Sequence, residues 1–194
     1  MLDATTIDAV LGDRTRVAAA LHAAHSYALN DVPAPLLNRV EHRIAQLLGV
    51  GDQFQAAAEL AGESVADSET DPVTVACVNF AEQWVVDVAS MPSSLVDEVR
   101  GHLGQRGLGE FVHGLLVVEQ RLRLGIAWQR LGLVPAGGLM PPGTIDRQAA
   151  TCDAPDLKSA LAEWQAGVVC LDEVDPVTTE LVRLRCATHH DCHT

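Results

Sequence analysis

The chain has 194 residues, and 13 basic against 26 acidic side chains leave it a formal charge of −13. An acid excess of that size argues against nucleic acid or an anionic membrane as the main partner. Hydrophobic residues make up 48% of the chain but aromatic residues only 4%. A core must then be built from Ala, Leu and Val, a mixture that favours packed helices over sheets and predicts an all-α fold.

Residues 1–10 contain Asp3 and Asp8 and no Lys or Arg, so they lack the positive region and apolar core of a secretory signal. The expected location is the cytoplasm, where Cys77, Cys152, Cys170, Cys186 and Cys192 would remain free thiols. The most apolar run, Gly114 to Val118, meets Glu119 and Arg121 well short of the roughly 20 residues that span a bilayer.

The first predicted helix covers 14–29, with Val17, Leu21 and Ala24 on one face. Pro33 and Pro35 break the chain before a second helix over 36–48, which Gly49 and Gly51 stop. Asp71-Pro72 reads as a capping side chain followed by proline at the first helical position, opening a helix over 73–89. Ser94 with Asp97 resembles a capping box for a helix over 94–105. Phe111, Leu115, Val118, Leu122 and Ile126 then recur at spacings of four, three, four and four, which predicts a core helix with Glu119, Arg121 and Arg123 turned outward. It ends near Gly132. The segment 134–143 (VPAGGLMPPG) holds three prolines and three glycines and reads as a linker. Helical patterns follow over 155–169 and 176–188.

Setting 37–50 (LNRVEHRIAQLLGV) against 179–192 (TELVRLRCATHHDC) at an offset of 142 pairs Val40 with Val182, Arg43 with Arg185 and Ala45 with Ala187. Thr6-Ile7-Asp8 recurs as Thr144-Ile145-Asp146, at an offset of 138. The simplest account is a duplicated helical module of about 140 residues. It divides the chain into a first copy over 1–133, a linker over 134–143 and the start of a second copy over 144–194, expected to be cut short.

The last seventeen residues, TTELVRLRCATHHDCHT, bring Glu180, Cys186, His189, His190, Asp191, Cys192 and His193 close together in sequence. On a straight helix Glu180 and Cys192 would stand about 12 × 1.5 = 18 Å apart, so they can cooperate only if the chain turns between them. His189-His190-Asp191 is the expected turn. Asp191 could then cap a new helix whose first residue is Cys192, a position that stabilises a thiolate. Cys186, between Leu184 and Ala187, reads as a small core residue, as do Cys77, Cys152 and Cys170 in their apolar or linker settings. A metal cluster of His189, His190, Asp191, Cys192 and His193 is the weaker reading, because no second ligand pair accompanies it.

The run ELVRLRCA followed by HDCHT resembles the active-site segment of the alkylhydroperoxidase and carboxymuconolactone decarboxylase superfamily. Its peroxidase members carry Glu, eleven residues, Cys, two residues, Cys, three residues, His, and Glu180 and Cys192 match in type and spacing. The resemblance implies an all-helical homo-oligomer that reduces hydroperoxides through a cysteine pair, with Glu and His as a proton relay. It also implies a dithiol reductant, lipoamide-linked in the best-known members, and no further cofactor. Glu180 and Cys192 are therefore the expected catalytic residues. The second cysteine would be residue 195 and the histidine residue 199, so activity in this chain is expected to be impaired. A selenocysteine codon at 195, read as stop, would account for the place of the interruption. In the first copy Asn38 stands at the glutamate position, Val50 at the cysteine, Gln53 at the second cysteine and Ala57 at the histidine, which leaves that copy no redox chemistry. A non-catalytic helical scaffold of the same fold is the alternative.

Overall fold

The computed structural model describes residues 15–60, 71–133, 155–169 and 174–189. These residues are almost entirely helical, and no strand occurs among them. In chain order the helices are α1 (Thr15–Asp31), α2 (Ala34–Leu47), α3 (Gly51–Leu60), α4 (Pro72–Asp87) with a 3-10 turn at Val88–Ser90, α5 (Ser93–Arg130), α6 (Leu157–Val169) and α7 (Pro176–His189). The Pro/Gly segment 134–143 lies outside the described residues. None of the described helices is long and apolar enough to cross a membrane.

Local chemistry explains most of the boundaries. The Asp71 carboxylate accepts from the Val73 and Thr74 amides and from the Thr74 hydroxyl, which satisfies donors that the first turn of α4 leaves orphaned. Asp175 holds the start of α7 in the same way through Val177 and Thr178. At the other end of α2, Gly49 adopts φ +76°, its amide donates to the Gln46 carbonyl, and the Val50 amide reaches back to Ala45. This left-handed glycine cap closes the last carbonyls of the helix.

Two expectations about boundaries are corrected. Gly51 does not stop a helix but opens α3, because the chain has already turned at Gly49 and Phe54 donates to the Val50 carbonyl to begin a new turn. Ser94 and Asp97 form no capping box: α5 starts after Pro92 without a side-chain cap, and Asp97 is ion-paired to Arg100 instead. Gly104, with φ +73° and ψ +173°, kinks α5 where the two predicted helices meet.

The main core lies between α2, α4 and α5, with Phe54 of α3 closing one end. Leu37, Val40 and Ile44 of α2 pack against Ala76, Cys77 and Phe80 of α4, and against Phe111, Leu115 and Val118 of α5. Phe80 meets Phe111 edge to face with centroids 5.8 Å apart, the geometry that aromatic quadrupoles favour. Each large apolar side chain buried here contributes about 1.5 to 3 kcal/mol. Trp84 Nε1 donates to Glu119 at 2.7 Å and ties α4 to α5 across the edge of this core.

A second, smaller core joins α1, α5 and α6, where Leu157 and Ala160 of α6 meet Ala23 and Ala24 of α1 and Val117 of α5. Near the other end of the same pair a Cβ on Gly167 would come within 3.0 Å of Val17 Cγ2, so α1 and α6 run antiparallel in close contact. Small residues on both helices permit that approach.

The second core corrects the expectation that Arg121 faces outward. Gly114, Val117, Arg121, Gly125 and Trp128 are all buried, at spacings of three, four, four and three. They form a second interior stripe on α5, beside the stripe of Phe111, Leu115, Val118 and Leu122. A helix packed on one side buries one stripe; α5 also meets α1 through Val117, and Arg121 is buried where it pairs with Glu41 of α2.

Candidate functional site

Of the two expected catalytic residues, Glu180 is described and Cys192 lies outside the described residues, as do His190, Asp191 and His193. Glu180 sits in the second turn of α7, exposed, and receives two hydrogen bonds from Arg183 at 2.7 and 2.8 Å. The bonds from the Arg183 side chain hold the Glu180 carboxyl below its ordinary value, so it is a carboxylate at neutral pH. Cys186, on the next turn, is an exposed free thiol and not the core residue expected. The reason is that α7 buries none of its side chains: Val177, Leu181, Val182 and Leu184 are 49 to 68% exposed.

The described part of α7 runs to His189, and Cys192 lies outside the described residues. Its start matches that of α2 when shifted by 142: Ala34 falls on Pro176, and Pro33, which precedes α2, falls on the capping residue Asp175. The starts of these two helices share the register of the few identities. At the offset of 142 Val50 stands against Cys192; it is partly buried against the core, and its carbonyl accepts the first hydrogen bond of α3 from Phe54 at 3.1 Å. Asn38, which the same offset sets against Glu180, is half-buried with a side-chain carbonyl that has no partner.

Reasoning from sequence missed the buried polar groups. Glu41 of α2 and Arg121 of α5 are 1% and 3% exposed and form an ion pair at 3.4 Å. Burial pushes the Arg121 guanidinium below its usual range while Glu41 opposes that shift, and Arg121 Nε has no partner. His25 and Ser26 of α1 are also buried. Cys77 is enclosed in the main core, where burial raises its thiol to about 12 and leaves it inert at neutral pH. The available signal for Glu41 was its position four residues after Leu37 and three before Ile44, which sets it on the apolar face of α2.

Among the described residues are two shallow grooves whose linings bear on function. One of about 250 Å³ lies between α2 and α4, lined by Arg39, Thr74, Val75, Val78 and Asn79. The other, of about 310 Å³, lies between α5 and α6 and is lined by Leu116, Gln120, Leu161, Trp164, Gln165 and Val168. Neither contains a thiol or a carboxylate. Among the described residues no group of three or more His, Cys, Asp or Glu side chains could hold a metal ion.

No family model matches the chain, and no solved structure matches it. Two uncharacterised proteins of Mycobacterium tuberculosis, one from strain CDC 1551 / Oshkosh and one from strain H37Rv, are each 29% identical to it over 133 residues. The match covers 67% of this chain and 44% of each relative, so it spans less than half the length of these proteins.

Proposed function

We propose that residues 176–192 carry the leading half of a thiol-peroxidase relay, with Cys192 as the peroxide-reactive thiol and Glu180 as its proton acceptor. The observation that supports this reading is the shared register of the starts of α7 and α2, Pro176 against Ala34 at an offset of 142. Extending that register puts Asp191 at the position of Gly49, where the chain turns, and Cys192 at the position of Val50, whose carbonyl accepts the first hydrogen bond of α3. A thiol at a helix N-terminus is favoured as thiolate, and a turn there would remove the 18 Å separation that a straight helix imposes.

In the proposed step Glu180 takes the thiol proton and the Cys192 sulfur attacks the terminal peroxide oxygen. The O–O bond breaks, sulfur becomes a sulfenic acid, and the departing alkoxide takes the proton back from Glu180 to leave as an alcohol. An external dithiol then attacks the sulfenic sulfur and releases water. Its second thiol resolves the mixed disulfide and regenerates Cys192.

The test is trapping of sulfenic acid with dimedone after one equivalent of an alkyl hydroperoxide, read residue by residue by mass spectrometry. Cys192 is expected to label about tenfold faster than exposed Cys186, the effect of a thiol pKa lowered by about one unit. Buried Cys77 should stay unlabelled, and Glu180→Gln should slow Cys192 severalfold. Equal rates at Cys186 and Cys192 would refute the assignment.

A non-catalytic helical scaffold is the second reading, favoured by the wholly exposed apolar face of α7. Under it, Cys192→Ser leaves peroxide consumption with a dithiol donor unchanged.

A further inference from the structure

We propose that the buried His25 makes the docking of the α1 and α6 pair onto the main body sensitive to pH. The neutral imidazole lets the pair seat, and its protonation releases the pair while the main core stays closed. This goes beyond the thiol chemistry proposed above and rests on none of its residues.

The place of His25 in α1 is the first observation. It is 1% exposed. Val17 and Ala24, seven residues apart, serve α6: Val17 lies against Gly167, and Ala24 clusters with Leu157 and Ala160. Leu21, His25 and Val32, at spacings of four and seven, form an adjoining stripe, and all three are buried. The Val32 end of that stripe is fixed by contact. A Cβ on Gly114 of α5 would come within 2.9 Å of Val32 Cγ2 and 3.7 Å of Leu37 Cδ1 of α2. His25 therefore belongs to the stripe by which α1 meets the main body.

The layering is the second. Among the described residues α6 packs chiefly on α1, so the two helices can leave α5 as one unit. Their seam with α5 is a small cluster of Ala23, Ala24 and Val117 with Leu157 and Ala160. The main core of α2, α4 and α5 has Phe54, Phe80, Phe111 and Leu115 of its own and does not need that seam to stay closed.

Charge gives the direction. The elements of the main body bring Glu41 of α2 and Arg121 of α5 into the interior, and these two are paired with each other. Leu157, Ala160 and Gly167, which α6 sets against α1, carry no charge, and Ser26 and Tyr27 beside His25 are neutral. Asp31, Glu110 and Asp156 with Arg106 act on one another at the far end of α1, six residues from His25. Protonating His25 would thus add a cation to an interior whose carboxylate is already matched, which burial disfavours. The imidazolium belongs to the released pair, in water. Because the released state binds the extra proton, docking is at full strength above the ordinary histidine value of about 6.5 and weakens below it, by about tenfold between pH 7.5 and 5.5.

The test is amide hydrogen exchange of the full chain, read by mass spectrometry from pH 7.5 to 5.5 and corrected for the intrinsic rate at each pH. Peptides from 15–31 and 157–169 are expected to lose about tenfold in protection together, while those from 34–47 and 72–87 keep theirs. His25→Gln keeps a neutral polar side chain and every other titrating group, and should make protection of 15–31 and 157–169 flat with pH at whatever level it sets. A second measurement needs no variant: the His25 imidazole, followed by NMR in the unaltered chain, should still be mostly neutral at pH 6. Protection of 15–31 that does not change with pH, a loss that survives His25→Gln, a loss that spreads to 34–47 and 72–87 at the same pH, or an imidazole mostly protonated at pH 6 would each overturn the proposal.

Discussion

Removing either member of the Glu41 and Arg121 pair is expected to be the most damaging single polar substitution in the helical body. Both side chains are at least 97% buried and meet at 3.4 Å, and Arg121 Nε already lacks a partner. Glu41→Leu leaves a guanidinium stranded in the interior, and Arg121→Met leaves a carboxylate. Breaking a buried pair from one side costs about 3 to 5 kcal/mol, a large share of the 5 to 15 kcal/mol that holds a typical domain together. For a chain of this size the melting temperature should fall by roughly 6 to 20 °C. The double variant removes both charges at once and should lose less than about 3 kcal/mol, so the two single losses will exceed the double loss by several kcal/mol. Urea denaturation followed by far-UV circular dichroism gives all three values. Additive losses, or single losses below about 1 kcal/mol, would show that the two charges are not coupled and that the interior already admits water to them.

Gly114→Ala should destabilise by about 1 kcal/mol, although alanine is the better helix former. The new Cβ would lie 2.9 Å from Val32 Cγ2, and the overpacking cost of about 1 to 3 kcal/mol exceeds the helix-propensity gain of about 1 kcal/mol. In a Val32→Ala background the same change should become neutral or stabilising; a stabilising effect without it would contradict the packing described. Asp71→Ala should lower the urea midpoint at neutral pH through loss of the α4 cap. The hydrogen bond from the Thr74 side chain, then that from its amide, hold the Asp71 pKa below its ordinary value. Its contribution is therefore present above the unfolded pKa and lost as pH falls through the folded one. Wild type and variant should converge below about pH 4, and a gap that widens there would reverse the sign.

The legible parts of this fold were those governed by neighbours in sequence. Asp71-Pro72 announced the start of α4, Gly49 and Gly132 the ends of their helices, and the four-three spacing from Phe111 onward the interior stripe of α5. What escaped was decided by partners distant in the chain. Nothing near Arg121 says that α1 covers a second flank of α5, and nothing near Glu41 says that a guanidinium waits 80 residues away. Cys186 failed in the opposite sense: its neighbours Leu184 and Ala187 look like a core, but no helix of the described chain packs on α7. Helix α3 was missed because Gly51 was read as a continuation of the stop at Gly49, when a single left-handed residue is enough to turn the chain. For the candidate site, residue types and spacing were readable, while the turn expected at His189-His190-Asp191 runs outside the described residues. The exposed ion pair of Glu180 with Arg183 was not inferred, although the spacing of three on a helix allowed it.

The antiparallel contact of α1 with α6 has a consequence for how such a chain could exist in a shorter form. These helices, Thr15–Asp31 and Leu157–Val169, lie far apart in the chain and cover each other's small-residue faces. A chain without α6 would leave Ala23, Ala24 and Val117 open to water unless another molecule supplied the missing helix. Its folding would then depend on concentration. Tethering the second helix through the same polypeptide holds it at an effective concentration in the millimolar range, so the cover survives dilution that would dissociate a weak pair of separate molecules.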